Sequence, residues 1–179
     1  MNLPNKLTVL RVLMIPFFVL FALVDLVPGC SHYIAVAIFI IASLTDLLDG
    51  KIARKYNLVT DFGKFMDPLA DKLLVCSALI CLVSMDRLPA WMVIVIISRE
   101  FIISGFRLVA SDNGVVIAAS YWGKFKTTAQ MILIVLLILD IPALSPVTTV
   151  FYWAALVLTI VSLIDYIKKN FQVLSQGGF

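Results

Sequence analysis

Charge is scarce in this sequence. Only 14% of its 179 residues are Asp, Glu, Lys or Arg, about half the share of an ordinary soluble domain. There is a single histidine, His32, which sits in a short polar break and reads as an interfacial residue rather than a catalytic one. The three cysteines lie at 30, 76 and 81, with neither a metal-type spacing nor a disulfide framework. No repeat, disordered linker or small-residue cleavage site is visible, so the first apolar run reads as a retained span and the chain as one domain over 1–179.

What fills the chain instead is apolar. Hydrophobic residues make up 62% of it and the mean hydropathy is +1.07. A water-soluble domain of this size has too little interior to hide that much apolar surface, whereas lipid covers it from outside. Six apolar segments, at roughly 7–27, 33–56, 68–85, 89–110, 120–140 and 147–168, are each near the length that crosses a hydrocarbon core. The expectation is an all-α integral membrane protein: six transmembrane helices in one bundle. With six spans both termini share a side, and of the 14 basic residues every one but Arg87 falls on that side or near it. Basic residues mark the cytoplasmic face, so both termini are expected there.

The few acids are not scattered. Asp46 and Asp49 are one turn apart, Asp67 and Asp71 are one turn apart, and a polar link at 56–64 turns the chain back between them. Four short carboxylates at membrane depth cannot snorkel to water and normally face a polar interior. Left alone they repel; one or two divalent ions remove the conflict, and an all-oxygen donor set suits magnesium or manganese. Two such ions are a common device for displacement at phosphorus. The competing readings are buried salt bridges to Lys51, Arg54, Lys72 and Arg99, which are costly to bury, and an ion pathway of a divalent-cation transporter. Against the transporter, no polar path continues through the other halves of the helices. Gly50, Ala53 and Gly63 remove bulk beside the acids, fitting either a ligand cleft or close helix packing.

These residues carry a resemblance. Asp46-x-x-Asp49-Gly50-x-x-Ala53-Arg54, eight residues, then Gly63-x-x-x-Asp67-x-x-x-Asp71 is similar at every defined position to the signature of the CDP-alcohol phosphotransferase (CDP-alcohol phosphatidyltransferase) family. The opening Asn2-Leu3-Pro4-Asn5-Lys6-Leu7-Thr8-x-x-Arg11 resembles the family's bacterial members that use sn-glycerol 3-phosphate. So do Ser98-Arg99-Glu100 with Ser104-Gly105-x-Arg107, and Gly123-Lys124-x-Lys126-Thr127.

The resemblance implies a six-span fold and a transfer of the phosphatidyl group from CDP-diacylglycerol to sn-glycerol 3-phosphate, giving phosphatidylglycerophosphate and CMP. It implies that Asp46, Asp49, Asp67 and Asp71 hold Mg2+ or Mn2+, two ions in all, and that Asp71 is the base for the acceptor hydroxyl. It places Gly50, Ala53, Arg54 and Gly63 at the CDP-lipid, with Asn5, Thr8 and Arg11 nearby. The acceptor is an anion, and Arg99, Arg107, Lys124 and Lys126 supply positive charge for its phosphate, with Glu100 fixing one of the bases. A synthase using inositol phosphate would want similar bases and is the nearest rival. The expected setting is the cell membrane, multi-pass, with the site on the cytoplasmic side, membrane lipids around it, a homodimer as the assembly and no nucleic-acid partner.

Overall fold

The structure, a computed structural model, describes residues 2–55, 60–112 and 120–170, and their side chains except at 47–55, 61–62, 64–65 and 111–112. Among the described residues there are six α-helices: α1 (Leu3–Leu23), α2 (Ser31–Lys55), α3 (Asp61–Ser84), α4 (Ala90–Asp112), α5 (Tyr121–Leu139) and α6 (Ser145–Lys169), with a 3-10 turn at Pro142–Leu144.

Local chemistry sets the starts earlier than the apolar runs suggest. The Asn2 side chain caps α1 by accepting from the Asn5 N–H, with Pro4 in the first turn, where a missing N–H costs nothing. Thr60 caps α3 by accepting from Gly63 N–H at 3.0 Å. So α3 begins at Asp61 rather than near 68, and the stretch containing Gly63 and Asp67 is helical.

The expectation of six membrane-spanning helices is corrected. Among the described residues three helices are long and apolar enough to cross a bilayer: Leu3–Leu23, Tyr121–Leu139 and Pro142–Lys169. The apolar part of α2 is the shorter stretch Ser31–Asp46. In α3 the charges of Asp67, Asp71 and Lys72 interrupt the run, and in α4 those of Arg99, Glu100 and Arg107 do. Each charge at the bilayer centre costs about 3 kcal/mol, so three within one helix outweigh a length that would otherwise suffice. The placing of both termini on one side depended on an even number of spans and goes with it. A multi-pass membrane protein remains.

The chain parts into two compact units, Met1–Leu88 and Pro89–Phe179. In the first, α1 packs on α2 and α3. Its buried stripe runs Pro4, Asn5, Thr8, Arg11, Ile15, Phe18, Ala22, the three-to-four spacing of a single helix face. The lower part is apolar, with the Phe18 ring 5.8 Å from that of Phe39 on α2, and Ala35 and Ala42 of α2 and Ala70, Leu74 and Ala78 of α3 are buried as well. Alanines on the facing helices let the backbones come close. The upper part of the same stripe is polar.

The second unit repeats that division. In it α6 packs on α5 and α4. The buried face of α5 is polar at Lys126 and Gln130 and apolar at Leu133, Ile134 and Ile138. The buried face of α6 begins with Ala155 and Leu156 and continues with Thr159, Ser162 and Tyr166.

The Thr60 hydroxyl both caps α3 and donates to Asn5 Oδ1 at 2.9 Å, tying α3 to α1. Thr60→Ala should therefore cost about 1 to 2 kcal/mol of stability, while Thr60→Ser should keep most of it. Thermal unfolding in detergent measures this, and an unchanged midpoint for Thr60→Ala would refute the cap.

Candidate active site

Asn5, Thr8 and Arg11 are three residues apart in turn, so they share one face of α1. Each reaches another helix or the α3 cap. The Thr8 hydroxyl donates to Asp67 Oδ1 at 2.6 Å. Arg11 donates from Nη1 to Asp46 Oδ1 at 2.6 Å and from Nε to the Ala42 carbonyl at 3.2 Å. Asn5 Oδ1 accepts from Thr60. Both Thr8 and Arg11 are 0% exposed, whereas the Asp46 side chain is 32% exposed. The guanidinium is therefore inside, and the carboxylate it holds is open to a ligand.

Asp46 on α2 and Asp67 on α3 are thus fastened to the same face of α1, and their charges act on each other. Asp71 lies one turn beyond Asp67 on α3 and is half-buried. Of the described side chains here, the carboxylates of Asp46 and Asp67 meet one guanidinium and one hydroxyl. The side chains of Asp49, Gly50, Ala53 and Arg54 lie outside the described residues. Among the described residues no group of three His, Cys, Asp or Glu side chains is assembled in metal-ligand geometry. In kind the carboxylates fit a hard divalent cation.

Gly63 sits where α3 passes α1. A Cβ there would stand 3.3 Å from Asn5 Oδ1, 3.3 Å from Thr60 Oγ1 and 3.5 Å from Asp67 Oδ2. Its bare α-carbon is what lets the capped start of α3 lie against Asn5 with Asp67 alongside.

In the second unit Glu100 gathers two cations on one oxygen. Its Oε1 accepts from Arg99 Nη1 at 2.9 Å and from Lys126 Nζ. Arg99 also donates from Nε to Ser162 Oγ at 3.1 Å, and its Nη2 lies 3.2 Å from where a Cβ on Gly123 would be. Arg99 and Lys126 are both buried and share the Glu100 carboxylate. Arg107 and Lys124 are exposed and rest on aromatic faces, Arg107 at 6.0 Å from the Tyr166 ring centre and Lys124 at 5.5 Å from that of Tyr121. Two further polar atoms, Gln130 Oε1 and the Tyr166 hydroxyl, are buried without a hydrogen-bond partner among the described residues.

Sequence reasoning placed Asn5, Thr8 and Arg11 beside the CDP-lipid; in the structure their polar groups are engaged by Thr60, Asp67 and Asp46. It missed Thr60 and Ser162. The signal for Arg11 was present: a basic residue two turns into an apolar helix that carries no acid of its own has to find one elsewhere. Neither Thr60 nor Ser162 stands out in the sequence, because hydroxyls are common at helix starts and on helix faces.

Comparison with known proteins finds relatives over nearly the whole chain. A family model described as CDP-alcohol phosphatidyltransferase matches residues 1–161. A Bacillus subtilis protein named "CDP-diacylglycerol--glycerol-3-phosphate 3-phosphatidyltransferase" is 48% identical over 191 residues, covering 99% of each chain. A Mycobacterium tuberculosis protein named "Probable phosphatidylglycerophosphate synthase" is 40% identical, over 94% of this chain and 81% of its own. A Haemophilus influenzae protein with the same name as the Bacillus one is 40% identical, over 93% of this chain and 92% of its own.

Glu100 is the counter-charge for two buried cations, and removing one partner of such a group leaves an uncompensated charge. Glu100→Ala should cost about 3 to 5 kcal/mol, read as a lowered unfolding midpoint in detergent. Adding Lys126→Met to it should recover part of the loss; strictly additive losses would mean the three side chains do not act as a group.

Proposed function

The chain belongs to the CDP-alcohol phosphatidyltransferase family, and from that premise we infer that it transfers the phosphatidyl group of CDP-diacylglycerol to sn-glycerol 3-phosphate, giving phosphatidylglycerophosphate and CMP. The observation that carries this reading is full-length identity of 48% to a relative named for that reaction. The gathering of acids from α2 and α3 on one face of α1 supplies the chemistry.

In the reaction the bond between the lipid phosphorus and the CMP oxygen breaks, and one to the primary hydroxyl of glycerol 3-phosphate forms. We assign the hydroxyl proton to Asp71. An alcohol is a weak acid, so Asp71 takes the proton late, as the oxygen bonds to phosphorus. With no Cys or His among the signature residues, direct transfer fits better than a covalent intermediate. Magnesium or manganese, as two ions held by Asp46, Asp49, Asp67 and Asp71, would offset the charge that builds on the diphosphate as CMP leaves. Gly50, Ala53 and Gly63 leave room for the CDP moiety, and Arg54 donates to a phosphate oxygen. Thr8 and Arg11 act through the acids they hold, and Asn5 through the start of α3.

For the acceptor phosphate we assign the buried pair Arg99 and Lys126, whose combined charge exceeds that of Glu100, with Arg107 and Lys124 as exposed attractors. Glycerol 3-phosphate is water-soluble and the donor is a lipid, so the site belongs at a membrane rim. Lys6, Lys51, Arg54, Lys55 and Lys64 border the acid-bearing segments, which favours the cytoplasmic rim.

The purified protein, given CDP-diacylglycerol, Mg2+ or Mn2+ and a panel of labelled alcohols, should release CMP with glycerol 3-phosphate. Product with inositol phosphate instead would overturn the acceptor, and no CMP release with any alcohol would overturn the reading. Asp71→Asn should fold and lose 100-fold or more in turnover, in line with a general base. Arg99→Ala should raise the KM for glycerol 3-phosphate about tenfold or more, the size of a lost charged hydrogen bond, with little change for the lipid. An equal rise for both substrates would point to a structural role.

A further inference from the structure

The hydroxyl of Thr8 is engaged in a way that neither the signature nor the reaction requires. We propose that Thr8 is a positioning residue, holding the Asp67 carboxylate in the orientation in which it takes up a divalent cation; this rests on the metal-dependent reading above.

The geometry is specific. Thr8 is 0% exposed, and its single hydroxyl hydrogen has two acceptors in reach, Asp67 Oδ1 at 2.6 Å and the Pro4 carbonyl at 3.2 Å. The carboxylate oxygen is the nearer of the two, so it accepts the hydrogen bond. Asp67's other oxygen, Oδ2, lies over Gly63, 3.5 Å from where a Cβ would stand. One oxygen is tethered by the Thr8 hydroxyl, which restricts the rotation of the carboxylate about its side-chain bonds, and the bare Gly63 leaves space beside the other. The β-branch of Thr8 is fixed in turn, because in a helix it has few rotamers and here it is buried.

The two acids held by α1 are treated differently. Arg11 pairs with Asp46 and cancels much of its charge. Thr8 is neutral, so it orients Asp67 and leaves the full negative charge available. A neutral donor to a ligating carboxylate is what a cation site needs, and loss of such a partner typically weakens metal affinity about 10- to 100-fold. Thr8→Val keeps the shape and removes only the donor.

The test is Mn2+ binding to the full-length protein in detergent, followed by electron paramagnetic resonance without substrates. Thr8→Val should raise the Kd for Mn2+ about 10- to 100-fold, and Thr8→Ser, which keeps the hydroxyl, should stay within about threefold of the wild type. In turnover assays the Thr8→Val loss should shrink as Mn2+ is raised, a recovery that a purely structural defect would not show. Wild-type affinity in Thr8→Val overturns the proposal while leaving the metal reading standing. Absence of saturable Mn2+ binding to the wild type overturns both. If Thr8→Val does not fold, Thr8→Ala against Thr8→Ser makes the same comparison, and equal affinity in those two overturns the proposal.

Discussion

A charged group taken out of water has to meet its counter-group within hydrogen-bonding distance, or the element carrying it does not stay buried. In this protein that constraint falls on α1. The helix is almost wholly apolar, yet Arg11 lies completely inside the first unit. The guanidinium is tolerable there because Asp46 and the Ala42 carbonyl both accept from it, and both come from α2. Thr8 makes the corresponding link to α3 through Asp67. The apolar lower half of the stripe supplies close packing, and the polar upper half sets which residues of the three helices lie level with one another.

The same rule organises the second unit with the signs exchanged. Arg99 and Lys126 come from α4 and α5, and both are bonded to Glu100, while Ser162 of α6 accepts from Arg99. Each unit therefore carries, among the described residues, a cluster of ionisable side chains on the polar part of an otherwise apolar buried face. In the first that cluster joins two carboxylates to Thr8 and Arg11 of α1, and in the second it joins one carboxylate to two cations.

Much of this was legible in the residue order. The acids at 46, 49, 67 and 71, with Gly50, Ala53, Arg54 and Gly63 at their intervals, are local facts about spacing, and helix periodicity turns spacing into a shared face. Counting spans was less secure. Apolar length marks every helix here, but the charges that make α3 and α4 chemically interesting also make them poor spans, and an average over a segment blurs that difference. Helix starts were displaced because Asn2 and Thr60 cap through single hydrogen bonds that no hydrophobic pattern records.

Sequence alone determined the membrane setting, the helical class, the acid motif and the family, because each of these depends on residues close together or on bulk composition. Only the tertiary structure decided which side chains Asn5, Thr8 and Arg11 meet. In the sequence, Thr8 and Asp67 stand 59 positions apart and Arg11 and Asp46 stand 35 apart. Whether a polar residue on α1 faces a ligand or another side chain depends on the rotation of α1 against α2 and α3. The packing of Phe18, Phe39 and the facing alanines sets that rotation, and no spacing within α1 contains it.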